Sequence, residues 1–398
     1  MRNTLLALFF FCLGAILWAQ NTDNKGNKTT FKFGGYIKAD FINSIYNNGD
    51  VGKDSPLKDI HLPGQIPVGS SDENFNLDFH VKESRFNFDV KTTLLGEDIH
   101  GFVEVDFLLS AQGNERVSNS FAPRLRHFYF EWGNLLIGQT WSTFMIVVVP
   151  DDLDFSGAAE GLVFNRQVQI RYTYNNWQFS IENPETTLMG FKDPAIVETE
   201  KEVIPDVVIR RNITLSRGFL GVSFLNRVLS GKTVDKDEVK TKYVLGLSAG
   251  GKIFIGNRGS DLRFMTTYGT GLGRYTALGF VAGGVIDENE NIHGIQSLNG
   301  YIAYNHFWKP KRWSSSVNVS VYKAFNDLTL VGEQANDNAY SLSANIKYTP
   351  APELMFGVEL MHGYRGLANN SINGSFNRLQ VSAKYSFGYN NTITNEKR

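Results

Sequence analysis

The feature that most restricts this chain is the rhythm of its connections. Amphipathic segments of about ten residues are joined alternately by tight turns, such as Trp132-Gly133-Asn134 and Asn175-Asn176, and by polar stretches of roughly ten to thirty residues. Short turns at one end and long loops at the other are the signature of a transmembrane β-barrel. Its strands alternate outward apolar with inward polar residues.

An export signal precedes this pattern. Residues 1–19 carry Arg2, an apolar run from Leu5 to Trp18 and the small residue Ala19, and they read as a secretory signal peptide too short to span as a helix. Cys12, the only cysteine, lies within it, so the mature chain has neither disulfide nor thiolate metal site. Beyond residue 19 there are 38 basic and 40 acidic residues, no footprint for nucleic acid. No stretch there approaches eighteen apolar residues. Aromatic residues nevertheless make up 13% of the chain. Enrichment without long apolar runs suits a wall whose lipid-facing residues are every second one.

Sixteen strand candidates follow: Phe31–Asn43, Phe75–Lys91, Ile99–Leu109, Arg124–Trp132, Leu135–Trp141, Val163–Tyr174, Trp177–Glu182, Asp206–Leu215, Phe219–Leu229, Lys240–Ile255, Ser260–Tyr275, Ile295–Trp308, Trp313–Phe325, Asn338–Tyr348, Leu354–Tyr364 and Ser375–Tyr389. In the first, Phe31, Phe33, Ile37, Ala39 and Phe41 oppose Lys32, Tyr36, Lys38 and Asp40. In the second the apolar phase switches from Phe75, Leu77, Phe79 and Val81 to Phe86, Phe88 and Val90, which predicts a bulge near Glu83-Ser84. The expected organisation is a signal peptide over 1–19, a short periplasmic lead over 20–30, an all-β transmembrane antiparallel β-barrel of about sixteen strands over 31–389, porin-like, and a tail over 390–398. Tight turns follow even strands, so both termini are expected on the periplasmic side.

The segments RLRHFYFEWGNLLIGQTWSTF (Arg124–Phe144), GGYIKADFI (Gly34–Ile42), SRFNFDVKTT (Ser84–Thr93), LDFSG (Leu153–Gly157) and RQVQIRYTY (Arg166–Tyr174) resemble the DcaP family of outer-membrane porins. The resemblance is dense over Phe31–Tyr174 and looser beyond. It implies a sixteen-stranded homotrimeric barrel in the bacterial outer membrane that admits small anionic solutes such as dicarboxylates. Outward Gly35 and Ala39 offer small side chains where walls of a trimer could meet. The coiled-coil extension of some family members has no room in the ten or so residues before the first strand.

In porin-type barrels the loop after strand five folds inward. Here that is Ser142–Leu162, with Asp151, Asp152, Asp154 and Glu160, and with Ile146-Val147-Val148-Val149 to bury. An acidic loop facing basic wall residues would set up a transverse field on passing solutes. The wall candidates are Lys38, Asp40, Glu104, Asp106, Arg166, Arg171 and Arg210; Arg171 shares its face with Gln167, Gln169 and Thr173. An arginine on the lipid face at mid-depth costs about 2–4 kcal/mol, so these are expected inward. The bland alternative is that each such charge merely pairs with Glu104 or Asp106. Arg124 and Arg126 fall in phase with outward Phe128, Phe130 and Trp132, which leaves their direction open.

The remaining motifs are weak. Gly246-Leu247-Ser248-Ala249-Gly250 matches a nucleophile elbow, but strand rather than helix follows. Gly269, Gly271 and Gly273 lack the spacing of a dinucleotide loop. No histidine pair has metal-site spacing, and the acidic run Asp287–Asn291 lacks the glycine of a calcium loop. No cofactor is expected. An outer-membrane hydrolase or a surface adhesin are the alternatives to a diffusion channel.

Overall fold

A computed structural model of the chain describes residues 28–109, 118, 120–197, 202, 204–232, 238–257 and 259–394; the signal segment expected over 1–19 lies outside them. The wall comprises β1 (Lys28–Tyr46), β2 (in two segments, Asn74–His80 and Arg85–Leu94), β3 (Glu97–Asp106), β4 (Arg124–Trp132), β5 (Leu135–Trp141), β6 (Arg166–Tyr174), β7 (Trp177–Glu182) and β8 (Asp206–Leu215). It continues with β9 (Gly218–Lys232), β10 (Val239–Ile255), β11 (Ser260–Thr270), β12 (Gln296–Lys309), β13 (Trp313–Phe325), β14 (Asn336–Ala351), β15 (Leu354–Leu367) and β16 (Asn373–Thr394). Each strand pairs antiparallel with the next, and β16 returns to β1 over Lys28↔Thr394 to Tyr46↔Phe376. The sheet is therefore a closed sixteen-stranded barrel without a free seam. Asn390–Thr394, expected as tail, continue the last strand.

Alternation is clearest in β13, where Val317, Val319 and Val321 are exposed on the outer face and Ser316, Asn318 and Ser320 are buried within. Such a strand has one face for lipid and one for hydrogen-bonding contents. The bulge in β2 falls where the phase switch placed it. Three residues of β1 (37–39) face four of β2 (81–84) between the pairs Tyr36↔Arg85 and Asp40↔His80. Ser84 closes it, with its Oγ accepting from Lys38 N at 3.1 Å.

A second bulge settles Arg124 and Arg126. Glu104 pairs with His127 while Val105 pairs with Leu125, leaving Arg126 as the extra residue of β4. The phase flips there, so Arg124 and Arg126 turn inward while Phe128, Phe130 and Trp132 stay on the outer face. The outward Gln139 amide donates to Leu125 O at 3.1 Å, satisfying a carbonyl at the bulge.

Two expected strands are shorter. The Ser260–Tyr275 candidate ends at Thr270, because Gly271 (φ +71°) and Gly273 (φ +50°) turn the chain inward into a short 3₁₀ turn, Gly273–Tyr275. Val163 forms only a bridge to Thr276, and β6 starts at Arg166. The connections after β9 and β15 (residues 233–238 and 368–372) are also shorter than the others on the loop side. Segments Leu188–Gly190, Asp193–Val197, Gly284–Ile286 and Ile292–Gly294 form a small sheet among the loops.

Candidate permeation site

The connection between β5 and β6 (residues 142–165), hereafter the inner loop, lies within the barrel and runs around its wall. Near its start Phe144 O accepts from Ser223 Oγ of β9 at 2.8 Å and Met145 O from Arg210 Nη1 of β8 at 2.7 Å. Val148 O accepts from Tyr301 OH of β12 at 2.8 Å, and Val149 O from Arg263 Nη1 of β11 at 2.8 Å. Leu153 N and Asp154 N donate to Glu359 of β15 at 2.7 and 3.0 Å. Leu153 O accepts from Lys38 Nζ of β1 at 2.5 Å and Gln380 Nε2 of β16 at 3.2 Å. A loop whose own regular structure is one short 3₁₀ turn, Ala159–Gly161, must satisfy most of its backbone elsewhere, and here wall side chains contribute much of that. The apolar run divides: Ile146 and Val148 are buried against the wall, whereas Val147 and Val149 are exposed.

The return pass is pinned by buried polar side chains. Asp154 accepts from Arg378 Nη1 at 2.9 Å and from His61 N, both groups being buried. His61 Nε2 lies 2.6 Å from Glu160 Oε1, each side chain fully buried, and Glu160 Oε2 accepts from Ser341 Oγ at 2.6 Å. His61 thereby joins the first loop (residues 47–73) to the inner loop. Burial would raise the Asp154 carboxyl, but the Arg378 guanidinium overrides it and holds the group below the ordinary range. Burial, with the Glu359 carboxylate beside it, pushes Asp152 up. Asp152 hydrogen-bonds Asn318, and Asp151 pairs with Lys347 at 2.6 Å.

The expected wall residues divide into two groups. Lys38, Arg171 and Arg210 bond the inner loop or its leading residue, and Asp40 holds Lys38 and Gln380, both of which bond Leu153 O. Lys38 contacts Glu83 and lies 3.3 Å from Asp40, whose Oδ1 accepts from Ser382 Oγ and Gln380 Nε2. Arg171 donates to Trp141 O at 2.5 Å and Thr143 Oγ1 at 2.8 Å.

Glu104, Asp106 and Arg166 belong to a different assembly, on the arc from β2 to the start of β6. Arg124 grips Asp106 with Nε and Nη2, each at 2.8 Å. Arg126 bridges Glu104 and Asp106 at 2.8 and 2.9 Å, and Arg85 Nη1 is 3.6 Å from Glu104. Arg166 stacks on Trp141, 4.5 Å from the ring centroid, and lies 5.6 Å from Phe164. Phe155, carried by the inner loop, meets this wall: the guanidinium carbons of Arg126, Arg124 and Arg85 are 5.2, 5.4 and 6.0 Å from its centroid.

Arg85 and Phe155 were not singled out from sequence. Arg85 was recoverable, since it opposes the outward phase of Phe86 and Phe88. Phe155 carries no periodic signal, because its position depends on where a loop lands.

The elbow-like stretch has a packing explanation. Gly246 lies mid-strand in β10 under the inner loop, where a Cβ would sit 2.6 Å from Leu272 Cδ2 and 3.2 Å from Phe144 Cζ. At the tip of the 271–295 loop, Asp287 accepts from Asn289 N, Asn291 N and the Asn291 amide and lies 2.8 Å from His293 Nε2. Protein groups already surround that carboxylate, and among the described residues no cluster of three metal-ligating side chains occurs.

A closed sixteen-stranded barrel with an internal loop and a polar interior is the architecture of an outer-membrane porin. The family model described as "DcaP outer membrane protein" matches residues 19–387. The chain belongs to the DcaP family, and is thus an outer-membrane porin for small solutes rather than a hydrolase. Among solved structures it is similar to the outer membrane channel DcaP of Acinetobacter baumannii (21% identity, TM-score 0.74, 90% of this chain and 97% of that one). It also resembles an anion-selective porin from Comamonas acidovorans (10% identity, TM-score 0.53, 90% and 100%). OmpT of Vibrio cholerae shares the fold (12% identity, TM-score 0.50, 90% and 98%). A search of curated protein sequences finds no match.

Proposed function

We propose that this porin passes small anions, carboxylate-bearing solutes among them, in preference to cations, through an opening narrowed by the inner loop. The observation that carries this reading is the local charge balance in the cluster around Phe155 and Trp141, at the loop-side end of the β2–β6 arc; Asp89 and Glu131, elsewhere on the same strands, are engaged by His100. Four guanidiniums, Arg85, Arg124, Arg126 and Arg166, stand against two carboxylates, Glu104 and Asp106. Arg124 and Arg85 are partly exposed, so they remain open to a solute. Guanidinium forks match carboxylates in two-point contact, and a local field inside a low-dielectric wall acts strongly on passing ions. Asp151, partly exposed on the inner loop, supplies the opposing sign and keeps the opening from being uniformly basic. In this reading Arg166 acts on solutes directly. Arg171 and Arg210 act through the loop they hold, and so do Lys38, Asp40 and Asp154.

A homotrimer is part of the proposal. The outer faces of β1 and β2 carry Phe41, Phe75, Leu77, Phe79 and Val81, with the Phe41 and Phe79 rings 5.0 Å apart. Of the small residues expected there, Ala39 fits a wall-to-wall contact. Gly35 is required by the barrel itself, since a Cβ would meet Arg85 O at 2.0 Å.

The test is planar-bilayer recording across a salt gradient. The wild type is expected to show a reversal potential on the anion side. Arg124→Gln combined with Arg166→Gln should move it toward cations and slow dicarboxylate entry into liposomes relative to a neutral solute of equal size. If both measurements stay unchanged, these arginines are only wall charges and the reading fails.

A further inference from the structure

We infer that Phe155 is a specificity-determining residue of this channel: its ring fixes the position of three guanidiniums and so sets the strength of the anion preference, a reading that rests on the anion-channel function proposed above. The argument begins with an imbalance. Arg85, Arg124 and Arg126 crowd one patch of wall and form their ion pairs there with two carboxylates, Glu104 and Asp106. Three cations sharing two carboxylates repel one another, and flexible side chains relieve that repulsion by spreading apart. The remaining attraction common to all three is the Phe155 ring, with each guanidinium carbon within 6.0 Å of its centroid. A cation over an aromatic face is drawn to the ring quadrupole without having its charge neutralised. A carboxylate in the same place would hold the arginines equally well and cancel the field. An aromatic ring holds them and leaves the field intact.

The ring can act this way only if it is itself immobile. Both chain neighbours are tied down. Asp154 is bound by Arg378 and by His61 N, and Ser156 Oγ donates to His61 O at 2.6 Å. Phe164, from the far end of the inner loop, meets the Phe155 ring edge-on at 5.7 Å. Phe155 is therefore a fixed post delivered to the β2–β4 wall by a loop that is otherwise seated on the opposite arc. It is the point where the two sides of the barrel meet through a side chain that carries no charge.

The experiment compares full-length wild type, Phe155→Tyr, Phe155→Leu and Phe155→Met in planar bilayers. Heat-modified gel migration establishes that each barrel has folded. Leu and Met keep apolar bulk and lose the ring; Tyr keeps both. The expected result is that Leu and Met lower the anion-to-cation permeability ratio about two- to fivefold, the factor that an exposed cation–π contact is worth, while Tyr retains the wild-type ratio. A role confined to packing would move conductance or barrel stability and leave the ratio alone. Should Leu or Met, whichever folds, match an anion-preferring wild type, or should Tyr fall as far as they do, the inference is overturned and the anion-channel reading stands. A wild type without anion preference overturns both.

Discussion

The two arcs of the barrel interior carry similar charges put to opposite use. On the covered arc, from β6 through β16 to β1, Arg171, Arg210, Arg263, Lys38 and Lys347 each bond a backbone carbonyl of the inner loop or its leading residue Trp141. Arg378 bonds Asp154 of the same loop. On the arc from β2 to β5, among the described residues, the loop reaches the arginines through Phe155, and in the cluster about that ring three guanidiniums, Arg85, Arg124 and Arg126, pair with two carboxylates, Glu104 and Asp106. Inward orientation of an arginine thus says little about solute contact. What matters is whether a loop has taken its hydrogen-bonding capacity. In the function proposed above, a cation that holds a loop works as scaffold, and a cation that no loop covers is left for the solute.

The largest effect is expected from breaking the covered arc. Arg378→Ala leaves Asp154 as a buried unpaired carboxylate, at a cost of about 3–5 kcal/mol, and should unseat the inner loop. Denaturant titration followed by tryptophan fluorescence would read the loss, and conductance should rise as the opening widens. A variant as stable as wild type would mean that the Asp154 contact does not hold the loop.

An intermediate effect sharpens the contrast between arcs. Arg171→Ala with Arg210→Ala should shift the reversal potential less than Arg124→Gln with Arg166→Gln. It should destabilise more, since each lost charged hydrogen bond is worth about 1.5–3 kcal/mol. Equal shifts in reversal potential would erase the distinction drawn here.

The smallest effect lies outside both arcs, at the tip of the 271–295 loop. Hydrogen bonds, chiefly from His293, lower the Asp287 carboxyl from 3.8 to about 2. A depressed carboxyl stabilises its turn fully above the ordinary value and loses that contribution as pH falls from about 4 toward 2. Amide exchange at Asn289 and Asn291 should be protected at pH 5 and faster, after correction for intrinsic rates, at pH 2. Protection unchanged between the two would remove the carboxylate from the account.

Much of the wall was legible in the chain. The period-2 alternation marks about sixteen strands, and the switch between Val81 and Phe86 places a bulge near Glu83-Ser84, within the observed 81–84, because a single inserted residue must reverse every side chain beyond it. The same rule was harder to apply at Arg126. Arginines and phenylalanines on one parity fit either an inward or an outward reading until the pairing of Glu104 with His127 and Val105 with Leu125 is known. The strand that was drawn too long, Ser260–Tyr275, failed at Gly271 and Gly273. Glycine is compatible with a strand, and only the observed positive φ shows that these two end one.

The sequence by itself determined the barrel, a strand number of about sixteen, most of its inward and outward faces, and the existence of a loop too apolar to remain in solvent. These follow from local periodicity, which two residues are enough to express. Only the tertiary structure decided which inward charges hold the inner loop and which do not. Those assignments depend on contacts between positions far apart in the chain, such as Asp154 with Arg378, His61 with Glu160 and Phe155 with Arg85. Periodicity orients a side chain toward the lumen; it carries no information about what else arrives there.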